Sequence, residues 1–543
     1  MNIFKPMLFS CLKEYNKKTL VSDIVAGIIV AVIALPLSIA LALASGVGPE
    51  EGLYTAIIAG FLIAFFGGST TQISGPTAAF ATIVAGVVAT HGIDGLIVAT
   101  IMAGVFLILM GILKLGSLIK FIPYTITTGF TAGIAVTILI GQLKDFLGLT
   151  YPDGVKPIET VEKVEAVIRN VTTVNPMAVL VGVLSLAILI VWPRISKKIP
   201  GSLVAVVFGI AIVKIFDLNV NTIGDLYTVS SALPAPRIPG ISFELIRDVL
   251  PNAFTIAILA AIESLLSCVV ADGMTGTKHR SNTELIAQGI GNIGSAIFGG
   301  IPATGAIART AANIKNGGKT PVSGIVHAIV LLLVLVVLMP YAALIPMPVI
   351  ASVLFIVAYN MCQWRPFVNL VKTAPKSDIF VLVLTFVLTV VFDLVVAIGV
   401  GIVIACVLFM KRMSDTSSLR GWTYGDDDSE RTVPEAIRVY ELEGPLFFGS
   451  ADILSSITFK SYTKCLVIRM RSVSAIDATA LGALETLYNR CAADGITLIL
   501  SHVNEQPMNS MIKSGLAELI GRENFCSHID EALSLAVRLS DEK

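Results

Sequence analysis

Apolar positions along the chain fall into long blocks with few polar interruptions, and the blocks end near residue 410. A window of about nineteen residues, close to the span of a bilayer core, places segments near 22–44, 51–66, 94–114, 125–141, 176–192, 201–216, 252–271, 283–298, 321–345, 348–360, 378–392 and 394–411. Two further apolar stretches, 76–90 and 302–314, are too short to cross alone. Beyond them the pattern changes: I-R-V-Y-E-L-E-G, F-F-G and C-L-V-I-R-M read as strands, Ala478–Ala493 as a helix, and I-T-L-I-L-S as a strand before two more helical stretches. The pattern predicts an all-α polytopic membrane domain over 1–413 and a polar linker over 414–431 containing the acidic run Asp426–Asp428. A small α/β domain with a largely parallel sheet follows over 432–543.

The two short stretches occupy matching positions in two halves. Ile33–Gly46 can be laid on Ala260–Gly273, matching Ala34 with Ala261, Ala44 with Ala271 and Gly46 with Gly273. Downstream, F-G-G recurs at Phe66–Gly68 and Phe298–Gly300, each followed by a run of small residues headed by Pro76 or Pro302. Two halves of about seven segments follow, and an odd number per half inverts the second relative to the first. Basic residues set the orientation. Lys13, Lys17 and Lys18; Lys114 and Lys120; Arg194, Lys197 and Lys198; Lys278 and Arg280; Lys315 and Lys319; Arg365, Lys372 and Lys376; and Lys411 and Arg412 all fall on one side. That side is read as the cytosol, with both termini in it and the chain in the cell membrane. The first apolar segment ends in A-L-A like a signal-peptidase site, but it is long enough to span and is read as the first transmembrane helix.

Composition adds exclusions. Of 543 residues, 55% are hydrophobic and 14% charged, against roughly 25% charged in an ordinary soluble domain, so a wholly water-dissolved globule is ruled out. Acids and bases balance at 38 each, so bulk charge points to no nucleic-acid partner and any charge selectivity is local. Seven cysteines without a C-x-x-C pair indicate free thiols, with Cys465, Cys491 and Cys526 facing a reducing cytosol. The five histidines lack metal-ligand spacing and no nucleophile–base motif stands out, so neither an enzyme nor a metal or cofactor is expected.

The chemistry concentrates at the short stretches. Pro76 and Pro302 are placed in the first turn of short helices that start near mid-membrane, where a missing N–H costs nothing. Such starts leave unpaired N–H groups and a partial positive charge. Two of them opposed would hold an anion against Thr77, Ala78 and Ala79 on one side and Ala303, Thr304 and Gly305 on the other. The same small residues would also let helices pack closely. Gln72 and Ser74 are further lining candidates. Arg309, two turns into the second stretch, should face the protein interior, raising anion occupancy, pairing with a carboxylate such as Glu263, or snorkelling to the cytosol. Glu263 lies deep in an apolar run, where desolvation penalises the ionised form. It is read as a proton carrier, or as a cation ligand with Ser267 one turn away, against a neutral structural acid.

The chain resembles the SulP family of anion transporters through D-I-V-A-G-I-I-V-A-V-I-A-L-P-L-S-I-A at Asp23–Ala40, Q-I-S-G-P-T-A-A-F at Gln72–Phe80 and A-I-E-S-L-L at Ala261–Leu266. Val269–Asn292 and G-G-I-P-A-T-G-A-I-A-R-T at Gly299–Thr310 extend the match. The resemblance implies a seven-plus-seven inverted repeat divided into core and gate, a homodimer, and elevator-like movement of the core. It implies an anion between the third and tenth segments, at Thr77, Ala78, Ala303 and Thr304, with Arg309 supplying positive potential. Relatives coupled to sodium carry Asp with Thr one turn later; Glu263 and Ser267 stand here, which favours the proton. Sulfate, dicarboxylates such as succinate or fumarate, and bicarbonate occur among the family's bacterial substrates, and an uncoupled exchanger or channel, or a sodium-coupled bicarbonate transporter, is the competing reading. The tail resembles a STAS domain, with S-A-I-D-A-T-A-L at Ser474–Leu481 as its loop. Ala478 follows Asp477 where stand-alone members carry a phosphorylated Ser, so Thr479 is the remaining candidate for modification or helix capping, and a cytosolic regulator could bind there.

Overall fold

The structure, a computed structural model, describes residues 4–117, 123–152, 157–196, 199–392, 394–421 and 433–542. Lys120, Lys197, Lys198 and the acidic run Asp426–Asp428 lie outside the described residues. The chain divides into two compact units, Met1–Ile402 and Val403–Lys543.

In the first unit, seven segments form each half. The first half holds α1 (Lys17–Ala44), α2 (Pro49–Phe66), strand β1 (Ser74–Gly75), α3 (81–91), α4 (93–112), α5 (Tyr124–Leu147), α6 (Pro176–Ile195) and α7 (Gly201–Ile215). The second holds α8 (Phe243–Thr275), α9 (Ser281–Ile297), strand β2 (Thr304–Gly305), α10 (Ile307–Lys315), α11 (Val322–Ala342), α12 (Met347–Cys362), α13 (Lys376–Val391) and α14 (Leu394–Asp415), which begins in the first unit and runs past Ile402 into the second. Gly92, at φ +68°, breaks what would otherwise be one rod into α3 and α4, a backbone state that side-chain-bearing residues avoid. The repeat shows in reciprocal packing: α1 against α11 is answered by α8 against α4, α2 against α11 by α9 against α4, and α5 against α13 by α12 against α6. These contacts sort the helices into a core, α1–α4 with α8–α11, and a gate, α5–α7 with α12–α14.

Close approach in the core depends on missing side chains, as expected where helices associate by packing rather than by hydrophobic exclusion. A Cβ on Gly104 of α4 would stand 2.7 Å from the carbonyl oxygen of Gly289 on α9. Among the described residues, eight helical stretches are long and apolar enough to cross a membrane, by length and composition. Two expectations shift. Helix α8 starts at Phe243, well before the apolar window opens, because Ser242 caps it through the Leu245 N–H at 3.1 Å. Pro76 and Pro302 are not first-turn residues: Pro76 follows the paired residues Ser74–Gly75, Pro302 precedes the paired residues Thr304–Gly305, and each helix begins only beyond them.

The second unit is built on a sheet in the order β3 (Ser418–Gly421), β4 (Ile437–Glu443), β5 (Cys465–Ser472), β6 (Thr497–Ser501) and β7 (Phe525–Cys526). Only the β3–β4 pair is antiparallel. Residues 418–421, expected in the linker, are thus an edge strand; their polar composition hides them from a hydrophobicity scan. Strand alternation sends Leu466, Ile468 and Met470 to one face with Leu484 and Leu487 of α15 (Ala478–Ala493). Val467 turns to the other face with Ala532 and Ala536 of α17 (Ile529–Glu542), while α16 (Glu505–Ser514) follows β6. Among the described residues the cysteines are thiols and form no disulfide, and burial pushes the Cys491 thiol up to about 11. Asp477, rather than Thr479, caps α15: its carboxylate accepts from Ala480 N at 2.9 Å and, with its other oxygen, from Phe448 N at 2.9 Å. Thr479 is exposed. Asp477→Ala should cost about 1 kcal/mol and raise hydrogen exchange at the Phe448 and Ala480 amides of the full-length protein, leaving β6 protected.

Candidate functional site

Ser74 pairs with Gly305 and Gly75 with Thr304, antiparallel across the repeat, and Ala306 N donates to Ile73 O at 2.9 Å. This ribbon brings two helix starts together inside the core. On one side Thr77, in extended conformation, precedes the turn Ala78–Phe80 that leads into α3. On the other, Ala306 precedes α10. Helix geometry leaves the first N–H groups of each without intrahelical partners; these belong to Ala78 and Ala79 on one side and to Ile307 and Ala308 on the other. Thr77 and Ala306 are half-buried, and Ile307 and Ala308 are exposed.

The second-half candidates lie deeper than that. Ala303 is fully buried, its N–H donating to Asn292 Oδ1 at 2.8 Å and its carbonyl accepting from Asn292 Nδ2 at 2.9 Å. Thr304 is also fully buried and its hydroxyl donates to Ala260 O at 3.1 Å. Gly305 is held in the ribbon. These three hold the strand in place, and Ala306–Ala308 present the surface.

Helix α8 seams the two half-helices. The Thr77 hydroxyl donates to Glu263 Oε2 at 2.9 Å, and the Ser267 hydroxyl donates to Thr310 Oγ1 on α10 at 3.2 Å. Glu263 thus bonds to the first half-helix and Ser267 to the second. Arg309 is 1% exposed and donates from Nη2 to Pro76 O at 2.9 Å; no ion pair joins it to Glu263 among the described residues, and its burial excludes snorkelling. Gly75 makes room for it, since a Cβ there would lie 2.6 Å from Arg309 Nη1.

Gln72 belongs to a different structure. Its amide donates to Glu284 Oε1 at 2.6 Å and its carbonyl accepts from Cys268 Sγ at 2.9 Å. Glu284, 1% exposed, also accepts from Gln288 Nε2 at 2.9 Å and Gly68 N at 2.8 Å. Ser74 Oγ takes a longer bond from Gln288. This fully buried clamp ties α9 to the chain entering β1, and sequence reasoning missed it along with Asn292. The available signal was Glu284 with Gln288 one turn on, inside an otherwise apolar helix.

Half-helices opposed by an inverted repeat, with polar groups at their starts, define the class: a multi-pass membrane carrier with a broken-helix site at its centre. Residues 20–385 match the sulfate permease family and residues 429–532 match the STAS domain. The chain belongs to the sulfate permease family, whose members are transporters and not enzymes, and it carries a STAS domain. It is 41% identical to YvdB of Bacillus subtilis (strain 168), a protein named for sulfate transport, over 96% of this chain and 98% of that one. It is 33% identical to the bicarbonate transporter BicA of Synechocystis sp., covering 96% and 95%. The solved structure of SLC26A9 shares the fold at TM-score 0.87 and 20% identity, covering 98% of this chain and 93% of that one.

Gly75→Ala tests the ribbon's role. Its Cβ must displace the guanidinium, so anion uptake in proteoliposomes should fall several-fold with the protein still folded. Gly86→Ala on α3, where nothing lies within 4 Å, should leave uptake unchanged.

Proposed function

We propose that the protein is a secondary active transporter that carries a small anion together with a proton, by movement of the core against the gate. The observation that carries this reading is the Thr77–Glu263 hydrogen bond. Thr77 introduces the helix start that would receive the anion, so the charge on Glu263 acts directly on that position. Two like charges about 6 Å apart repel by about 3 kcal/mol at an effective dielectric near 20. Protonating Glu263 would remove this repulsion and favour anion binding, and a bound anion would favour the proton by the same amount. Glu263 and Ser267 stand where sodium-coupled members of the family carry Asp and Thr, which favours the proton.

The substrate is a small oxyanion. Sulfate and bicarbonate each have a relative named for them, and dicarboxylates such as succinate fit a site that reads charge and size through backbone N–H groups. The membrane domain, 1–413, is placed in the cell membrane as a homodimer with both termini in the cytosol. The STAS domain, 432–543, would meet a cytosolic regulator at the loop holding Asp477 and Thr479.

In proteoliposomes, an inward proton gradient should stimulate uptake of labelled sulfate or bicarbonate about tenfold or more, with sodium having no effect. Glu263→Gln should abolish the stimulation. Uptake indifferent to the gradient and to the substitution would replace this reading with an uncoupled exchanger or channel.

A further inference from the structure

Arg309 and His327 are both buried, at 1% and 0% exposure, and both are under-bonded. Nε and Nη1 of Arg309 and both ring nitrogens of His327 find no hydrogen-bond partner among the described residues. Buried polar groups in folded proteins are rarely left so. Their placement suggests a shared reason. The turn between α10 and α11 is closed by Asn313 Nδ2 donating to Ser323 Oγ at 2.8 Å. One helical turn from Asn313 along α10 is Arg309, and one turn from Ser323 along α11 is His327, each on the face of the tied residue.

Both side chains border the same two elements. Gly75 of β1 lacks the Cβ that would stand 2.6 Å from Arg309 Nη1 and 3.6 Å from Ala56 of α2. One turn along α2, a Cβ on Gly60 would stand 3.2 Å from the carbonyl oxygen of Ser74, β1's other residue, and 3.9 Å from His327 Nδ1. The guanidinium and the imidazole thus flank one spot behind β1, walled by α2. Arg309 offers N–H donors that lack an acceptor, and a neutral imidazole offers a lone pair.

We infer that His327 is a positioning residue for Arg309, accepting from its guanidinium through one bridging water and so fixing the positive charge behind the helix starts. The bond leaves Nη2 on Pro76 O, which ties the charge to the strand entering α3. This inference rests on the reading of Arg309 as the cation serving the anion site.

The test is a double-mutant cycle on the full-length protein in proteoliposomes, with labelled sulfate and bicarbonate uptake fitted for KM and Vmax. Arg309→Met should raise KM about tenfold and His327→Leu several-fold, with Vmax within about twofold, and the double variant should match Arg309→Met alone. His327→Gln, which keeps an acceptor, should restore KM; His327→Met replaces the leucine variant if that protein does not fold. A normal KM in Arg309→Met would overturn the role of Arg309 and this inference with it. A raised KM in Arg309→Met with a normal KM in His327→Leu, or effects that multiply, would overturn the His327 inference alone.

Discussion

Two residues of extended chain from each half pair antiparallel at the centre of the core, and the site's geometry descends from that pairing. A helix that starts in mid-membrane exposes N–H groups that lipid cannot satisfy. Pairing Ser74 with Gly305 and Gly75 with Thr304 satisfies the chain leading into each helix and leaves only the first-turn donors for a ligand. The inverted repeat then supplies two such starts at once. Because the strands pair with each other, the two helix starts are tied to one another.

The supporting polar groups explain why so short a ribbon persists. Asn292 grips both backbone groups of Ala303, Glu284 gathers donors from Gln72, Gln288 and Gly68, and Asp23 accepts the Lys319 and Thr320 N–H groups beyond α10. Each is fully or nearly fully buried. Leaving one such donor or acceptor unpaired costs about 1–3 kcal/mol, so the network is strongly self-consistent. Glu263 stands apart because its described partner is a single threonine hydroxyl. A carboxylate with few donors and access to the site is suited to change charge; one with three donors is suited to stay fixed.

Much of this was legible beforehand. The periodic apolar blocks, the recurrence of F-G-G with a proline-headed run, and Arg309 and Glu263 stranded in apolar sequence pointed to the repeat, the half-helices and the buried charges. What stayed hidden were interactions with backbone. Nothing in I-P-A-T-G-A-I-A-R announces that Thr304 and Gly305 are strand and that Ala306–Ala308 are helix start, because a two-residue strand has no periodicity of its own. Asn292 was invisible for the same reason, its partners being a carbonyl and an amide. Helix α8 was truncated in the reading because Glu244, Arg247 and Asp248 dilute the hydropathy of its first turns, and the edge strand at 418–421 was lost to its polarity.

The claim that both helix starts hold one anion is most directly tested with selenate, an isostere of sulfate whose selenium scatters anomalously, bound to crystals of the full-length protein. The account predicts one anomalous peak in the core, within hydrogen-bond reach of both the Ala78–Ala79 and the Ile307–Ala308 amides. A peak at only one helix start, or one elsewhere in the membrane unit with the ribbon unengaged, would contradict it.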